Sequence, residues 1–353
     1  MKKFKKIGVL ASGGDAPGMN AALRAVTNAA LAKGIKVIGI YGGYSGLINN
    51  NTVKLTGRNV SDVISRSGTF LYSDRCEEFK TEEGMQKAIA TCKKLGIEGI
   101  VAIGGDGTFR GATDLSAHGI PTIGIPATID NDITSTDESI GFDTAKNTIL
   151  DIADNLRATC ESHKRCNVIK VMGRNAGYLA LECAAASAAV GVAIREEKFD
   201  EDALLAKMTK LREEGQRSFL VLVAEGLDDY AHELYLKIKE KTDIEPKYVS
   251  PEHIVRGGIP TVRDRLLATE MGYYAVEKLT AGMSDVVICK RHNELVTMNI
   301  QFALILDRMF KDTLKPGDLD KFTKEQVAEM KAVCDERHAY IARLHKMVND
   351  LAR

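Results

Sequence analysis

Residues 7–26 read IGVLASGGDAPGMNAALRAV. An apolar run ends at Leu10, glycines follow at Gly13 and Gly14, and an Ala/Leu/Val pattern of helical spacing begins near Pro17. Proline suits the first turn of a helix, where its missing N–H would have had no partner, so the spacing predicts a helix starting there. Strand, glycine turn and helix make the opening half of a βαβ unit. The backbone N–H groups of Gly13 and Gly14, with the helix N-terminus behind them, form an anion site. A bare strand-to-helix turn would need only one glycine. The segment is not a dinucleotide fingerprint, because the glycine spacing is wrong. It is not a Walker A loop either, because it has no Gly-Lys-Ser/Thr.

The same rhythm runs outward from this stretch. Apolar runs at residues 6–10, 36–41, 99–103, 122–125, 168–171, 190–194 and 218–223 read as strands. Helical patterns lie between them at 20–33, 82–95, 145–159, 202–214 and 230–242. Alternation of this kind predicts an α/β protein with mostly parallel sheets covered by helices. There are too many units for one comfortable doubly wound domain, so more than one sheet is expected. In such folds ligands bind beyond the carboxyl ends of the strands, and the glycine-rich segments here all follow strands. From Phe322 onward a charged segment carries Val327, Met330, Val333, Ile341, Leu344 and Met347 at roughly helical spacing. It reads as a helix packed on the body, with a partner-binding helix as the alternative.

Composition sets the outer limits. With 353 residues, 44% apolar and 27% charged, the chain has room for two domains and a large core. Its formal net charge is zero, which gives no bulk attraction to nucleic acid or acidic membranes. The lysines of the opening MKKFKK read as a solvated end. There is no apolar run of membrane-spanning length and no signal-peptide pattern. Seven cysteines at irregular spacing, without a CxxC pair, read as reduced thiols of a cytoplasmic protein.

Two further segments carry chemistry. VAIGGDGTFRGA (101–112) places Asp106 on a glycine turn after a strand. Backbone N–H groups can approach a phosphate closely there, and one carboxylate remains to hold a metal, unless Asp106 merely caps the following helix. GIPATIDNDI (124–133) sets Thr128, Asp130 and Asp132 in alternation after a strand. Alternation aims their side chains at one place, and two carboxylates so spaced suit proton abstraction plus a metal-binding or orienting role. A pair of Asx turns is the plainer reading of the same run.

With these segments in order, the chain resembles the bacterial-type 6-phosphofructokinases up to about residue 320. The likeness rests on SGGDAPGMNAA, GGDGT, TIDNDI, IGFDTA, VMGRNAG, VAEG and HIVRGG. GGDGT alone also resembles the phosphate motif of NAD kinases and diacylglycerol kinases, but those lack the TIDND loop and the later arginine segments. The resemblance implies two Rossmann-like three-layer α/β domains with an inter-domain cleft. An ATP-binding domain would take 1–141 plus 254–304, and a fructose 6-phosphate-binding domain 142–253 plus 305–353.

It implies phosphoryl transfer from MgATP to the C1 hydroxyl of fructose 6-phosphate, the committed step of glycolysis. Asp130 would be the base, assisted by Asp132. Gly14, Arg75 and Arg174 would neutralise the transferring group. Asp106 would hold Mg2+, and Cys76, Gly105, Gly107 and Thr108 would complete the ATP contacts. Thr128, Met172, Gly173, Glu225, His253 and Arg256 would meet the sugar phosphate. Arg165 would reach the 6-phosphate of a neighbouring subunit, which implies a homotetramer. Lys247 stands where the family usually has a second arginine, and it keeps the charge without the bidentate fork.

Pyrophosphate-dependent relatives carry a second Asp after the GGD aspartate and a Lys before TIDND. Gly107 and Ala127 here favour ATP, because a carboxylate at 107 would repel an α-phosphate and crowd the adenosine. Pyrophosphate use, another ketose phosphate, or an inert nucleotide-sensing subunit are the competing readings. At the family's effector site Arg24 and Arg157 match two arginines. Asn28, Ala189, Glu214 and Gln216 stand where other anion-binding groups would be, so control by ADP and phosphoenolpyruvate is expected to be weak or absent.

Overall fold

The computed structural model describes residues 4–352, so Lys2 and Lys3 of the opening cluster lie outside the described residues. The eleven strands among them are β1 (Lys6–Ser12), β2 (Lys36–Ile40), β3 (Thr52–Leu55), β4 (Ile100–Gly104), β5 (Thr122–Pro126), β6 (Arg165–Val171), β7 (Gly191–Ala193), β8 (Phe219–Ala224), β9 (Glu245–Val249), β10 (Val286–Arg291) and β11 (Glu294–Asn299). They form a seven-stranded sheet ordered β11-β10-β5-β4-β1-β2-β3 and a four-stranded sheet ordered β7-β8-β6-β9. The chain splits into two compact units. The first holds residues up to Ile129, Ile133–Thr144 and Arg256–Met330. The second holds Asp130–Asp132, Ala145–Val255 and the chain from Lys331 on.

In the first unit the centre of the sheet is parallel, with antiparallel pairing only at the edges, β2 with β3 and β10 with β11. Alternate residues of the strands feed opposite faces. Leu10, Ile40, Ile100, Ala102, Val287 and Cys289 enter one hydrophobic cluster with Phe109, Leu115, Ile300 and Ala303. On the other face helix Met19–Ala32 packs closely on helix Val262–Thr280. A Cβ on Gly272 would sit 2.7 Å from the Ala25 Cβ, so the close crossing depends on small residues.

The helix expected to begin near Pro17 starts instead at Met19. Gly18 is the preceding cap at φ 102°, a left-handed conformation that a helix interior cannot contain. The second unit is all-parallel. Cys166, Val168, Val221 and Val223 pack on Leu204, Leu205 and Met208 of helix Glu201–Glu213 and on Leu234 and Ile238 of helix Tyr230–Lys241. Residues 305–330, expected with the second domain, cluster with the first unit, where helix Ile300–Phe310 packs on helix Asp106–Ala117 and on β10–β11. Helix Lys324–Leu351 forms over the segment expected to be helical.

Candidate active site

The first unit carries a cavity of about 570 Å³ at the carboxyl ends of β1, β4 and β5. Ser12, Gly13 and Gly14 line it from the turn after β1; Gly105, Gly107 and Thr108 line it from the turn after β4. Glycine is required at two points of these turns, by a close approach at Gly104 and by a left-handed φ at Gly13. A Cβ on Gly104 would lie 2.4 Å from the Ser12 carbonyl oxygen, and Gly13 sits at φ 86°. Thr108 Oγ1 donates to that same Ser12 carbonyl at 3.0 Å, so the two phosphate-type turns are tied together. Gly105 and Gly107 differ: a Cβ there would meet nothing within 4 Å. Neither the backbone nor the packing demands glycine at 107, in the first turn of a helix where it costs roughly 1 kcal/mol relative to alanine. The space beside Gly107 is open to a ligand.

Asp106 opens helix Asp106–Ala117. The cap is Gly105, so the alternative role of Asp106 as an N-cap is not what the fold uses. Its Oδ2 accepts from Arg110 Nη2 at 2.5 Å, one turn along. Such an exposed i,i+4 pair is worth about 0.3–0.5 kcal/mol, which a divalent cation overcomes easily. Among the described residues no three His, Cys, Asp or Glu side chains gather as a metal cage. Asp106 itself is not among the residues lining the cavity, although its neighbours Gly105 and Gly107 are, and the carboxylates that do line it are Asp74, Glu77 and Asp114. A lone carboxylate at its edge suits a cation that arrives on phosphates, since Mg2+ keeps its waters and takes few protein ligands.

The loop after Leu71 brings Arg75 and Cys76 to the cavity, as expected, and also Asp74, Phe79 and Lys80. Tyr44 stacks on Phe79 with ring centroids 4.1 Å apart and donates to the Thr108 carbonyl at 2.6 Å. Burial pushes its hydroxyl pKa far up, with Asp114 adding to the rise, so Tyr44 stays protonated. Tyr44, Phe79 and Arg110 were not foreseen. They lie far apart in sequence, and nothing local marks them as sharing a wall. Arg256 and Thr128, expected to meet the sugar phosphate, line this same cavity. Arg256 Nη1 donates to the Asp15 carbonyl at 3.3 Å, and a Cβ on Gly14 would lie 2.7 Å from it.

The TIDNDI run is a turn rather than an extended strand. Asn131 adopts φ 50°, tolerable for Asn, so the side chains of Asp130 and Asp132 are directed by a left-handed corner and not by period-two alternation. The Thr128 carbonyl accepts from Ser139 Oγ at 2.6 Å, which anchors the entry to the turn.

The second unit has its own cavity of about 220 Å³ at the carboxyl ends of β6, β8 and β9, lined by Lys170, Met172, Glu225, Tyr248, Glu252 and His253. Met172, Glu225 and His253 were expected together and are together. Gly173 leads into an exposed loop bearing Arg174. A Cβ on Gly173 would meet the Ala176 carbonyl at 2.6 Å, and one on Gly226 the Arg174 carbonyl at 2.6 Å. Arg165 and Lys247 both pair with Glu245: Arg165 Nε reaches Oε2 at 2.8 Å and Lys247 Nζ reaches Oε1 at 2.7 Å. Glu245 stands opposite Arg165 across the β6–β9 pairing. The hydrogen bond from Arg165, then that from Lys247, holds the Glu245 carboxyl down to about 2.

A phosphofructokinase family model matches residues 6–279. The chain is 48% identical over 311 residues to an ATP-dependent 6-phosphofructokinase of Clostridium botulinum (strain Loch Maree), a match covering 88% of this chain and 97% of that protein. The chain belongs to the phosphofructokinase family. A second relative, the ATP-dependent 6-phosphofructokinase of Halalkalibacterium halodurans, is 48% identical over 304 residues, 85% of this chain and 94% of its own. Among solved structures, phosphofructokinase from Saccharomyces cerevisiae superposes with a TM-score of 0.81 at 30% identity. That match covers 93% of this chain and 49% of the yeast chain, so this chain spans about half the length of the yeast protein.

Proposed function

We propose that this protein is an ATP-dependent 6-phosphofructokinase, a kinase of glycolysis that transfers the γ-phosphoryl group of ATP to the C1 hydroxyl of fructose 6-phosphate. The observation that carries the reading is near-half identity to bacterial enzymes of that name along almost their entire length. The first unit is the ATP-binding domain and the second the sugar-phosphate domain. Tyr44 and Phe79 offer a flat apolar wall to a base, while Arg75, Gly14 and the N-terminus of helix Asp106–Ala117 face anionic phosphates.

A sugar hydroxyl is a poor nucleophile at neutral pH. Asp130 takes the C1 proton as the oxygen attacks, and Asp132 orients the base. Arg174, with Gly14 through its N–H, neutralises charge on the transferring group, in keeping with phosphoryl transfer as mostly positioning and electrostatics. Asp106 would hold Mg2+, which would supply charge neutralisation at the donor's terminal phosphates. Gly107 leaves the space an α-phosphate and adenosine need, which favours ATP over pyrophosphate. Arg165 and Lys247 serve the 6-phosphate across a subunit boundary, so the working form is a homotetramer in the cytoplasm. Among the described residues no helix is long and apolar enough to cross a membrane.

The test is formation of fructose 1,6-bisphosphate by purified protein offered fructose 6-phosphate with ATP or with pyrophosphate. Product with ATP and at most trace product with pyrophosphate is expected; the reverse overturns the choice of donor, and no product with either overturns the function.

A further inference from the structure

The C-terminal helix lies beyond the stretch that matches the family model, and the C. botulinum match covers nearly all of that protein while leaving about an eighth of this chain unmatched. Within the second unit this helix buries Val333, Cys334, Ile341 and Val348 at roughly helical spacing. Its polar side chains also make contacts. Tyr340 donates its hydroxyl to Glu182 Oε1 at 3.0 Å, and Glu182 Oε2 accepts from Lys146 Nζ at 2.9 Å. The Tyr340 ring lies beside that of Tyr178, with centroids 6.5 Å apart, and Arg337 hydrogen-bonds the Tyr178 side chain. Lys207 Nζ ties the far end by donating to the Asn349 carbonyl at 3.0 Å.

Tyr178 and Glu182 belong to helix Tyr178–Ala186, and Tyr178 follows directly on the loop that carries Met172, Gly173 and Arg174. That loop has little freedom of its own. Gly177 donates its N–H to Glu196 Oε1 at 2.8 Å, and a Cβ there would lie 2.6 Å from the Ile194 side chain. The Gly173 and Gly226 contacts close the other end. Helix Tyr178–Ala186 continues directly from this loop, and Arg174 lies four residues upstream of its first residue. Displacements of about 1 Å at a reacting site can cost on the order of 10²-fold in rate, so a brace on this helix has functional leverage.

We propose that Tyr340 and Arg337 of the C-terminal helix are positioning residues for the 172–177 loop, acting through Glu182 and Tyr178 to hold Arg174 toward the sugar phosphate. The role rests on the reading of that loop as a sugar-phosphate contact. Tyr340→Phe keeps the ring and removes one hydrogen bond; Arg337→Met keeps the bulk and removes the guanidinium; Glu182→Leu removes the acceptor of the Tyr340 hydrogen bond together with the pairing to Lys146.

Two measurements on the full-length chain test it. In steady-state kinetics the KM for fructose 6-phosphate rises about 3- to 10-fold in each variant, the worth of one hydrogen bond, while the KM for ATP stays within about twofold. Combining Tyr340→Phe with Glu182→Leu costs less than the sum of the two, because both remove the Tyr340–Glu182 bond while only the second removes the pairing to Lys146. In limited proteolysis, trypsin cleavage after Arg174 speeds up in the same variants, a readout that needs no turnover. Unchanged cleavage and an unchanged KM for fructose 6-phosphate overturn the inference, as does an equal rise in both KM values. Faster cleavage in a protein that does not turn over fructose 6-phosphate keeps the brace and removes the reading of the loop.

Discussion

Single residues divide into those the backbone requires and those a ligand explains. Gly104 is of the first kind. With the Ser12 carbonyl 2.4 Å from its missing Cβ, Gly104→Ala should lower stability by about 1–3 kcal/mol in denaturant unfolding, as overpacking does. Gly107 is of the second kind. Gly107→Asp meets open space, so its melting temperature should stay near that of the native chain. The new carboxylate should weaken ATP by about 1–4 kcal/mol in steady-state KM, the range for like charges about 4 Å apart between water and a partly screened surface. A stable variant with native ATP affinity would place the nucleotide elsewhere. Glu245 gives a pH signature. Its carboxyl lies at about 2 rather than the ordinary 4.5, so what its pairing contributes is fully present above 4.5 and is lost as pH falls toward 2. A carboxyl-carbon NMR titration, assigned with Glu245→Gln, should show a midpoint near 2; a midpoint near 4.5 would mean that Arg165 and Lys247 do not hold it.

At the scale of elements, the interior strands β1, β2, β4, β5, β6 and β8 and the edge strand β7 were legible, whereas β3, β9, β10 and β11 were not. Apolar runs such as Ile100–Gly104 are buried on both faces and stand out on hydrophobicity alone. β9 contains Pro246, which cannot donate to a ladder, and it lies at the edge of its sheet, where proline is tolerated. The β10–β11 hairpin turns through His292 and Asn293, both at positive φ. That pair carries no Gly, so the usual hairpin signal was missing. Helix Val262–Thr280 was hidden because Val262, Leu266 and Tyr273 are exposed apolar residues that blur its amphipathic stripe. The same helix carries a buried capping device. Asp264 accepts from the Gly141 N–H at 2.8 Å and from the Thr144 N–H and hydroxyl at 2.7 and 2.6 Å. Burial pushes its carboxyl up, and those hydrogen bonds pull the other way. Asp264→Asn turns an acceptor into a donor facing donors and should cost about 1–3 kcal/mol of stability. Native unfolding in that variant would show the network to be dispensable.

For the whole molecule, the chemistry-bearing motifs were readable because each sits on one turn after one strand. The cavity walls were not, because Tyr44, Phe79 and Arg110 meet only once the sheet is assembled. At the expected effector positions, Arg157 already donates to the Ser187 carbonyl, and Glu214 and Gln216 add no positive charge. Saturation with fructose 6-phosphate should therefore hardly move when phosphoenolpyruvate is added at about millimolar concentration, whereas a large rightward shift would restore the effector site. Light scattering of the purified protein should give the mass of four chains; a monomer that turns over fructose 6-phosphate at full rate would leave Arg165 and Lys247 without their cross-subunit role. The most direct measurement concerns the base. Turnover of fructose 6-phosphate and ATP by Asp130→Asn should fall about 10²- to 10⁴-fold, roughly 3–5 kcal/mol of barrier, with ATP affinity retained. An Asp130→Asn enzyme that keeps native turnover would contradict proton abstraction by this residue and the phosphoryl-transfer mechanism built on it.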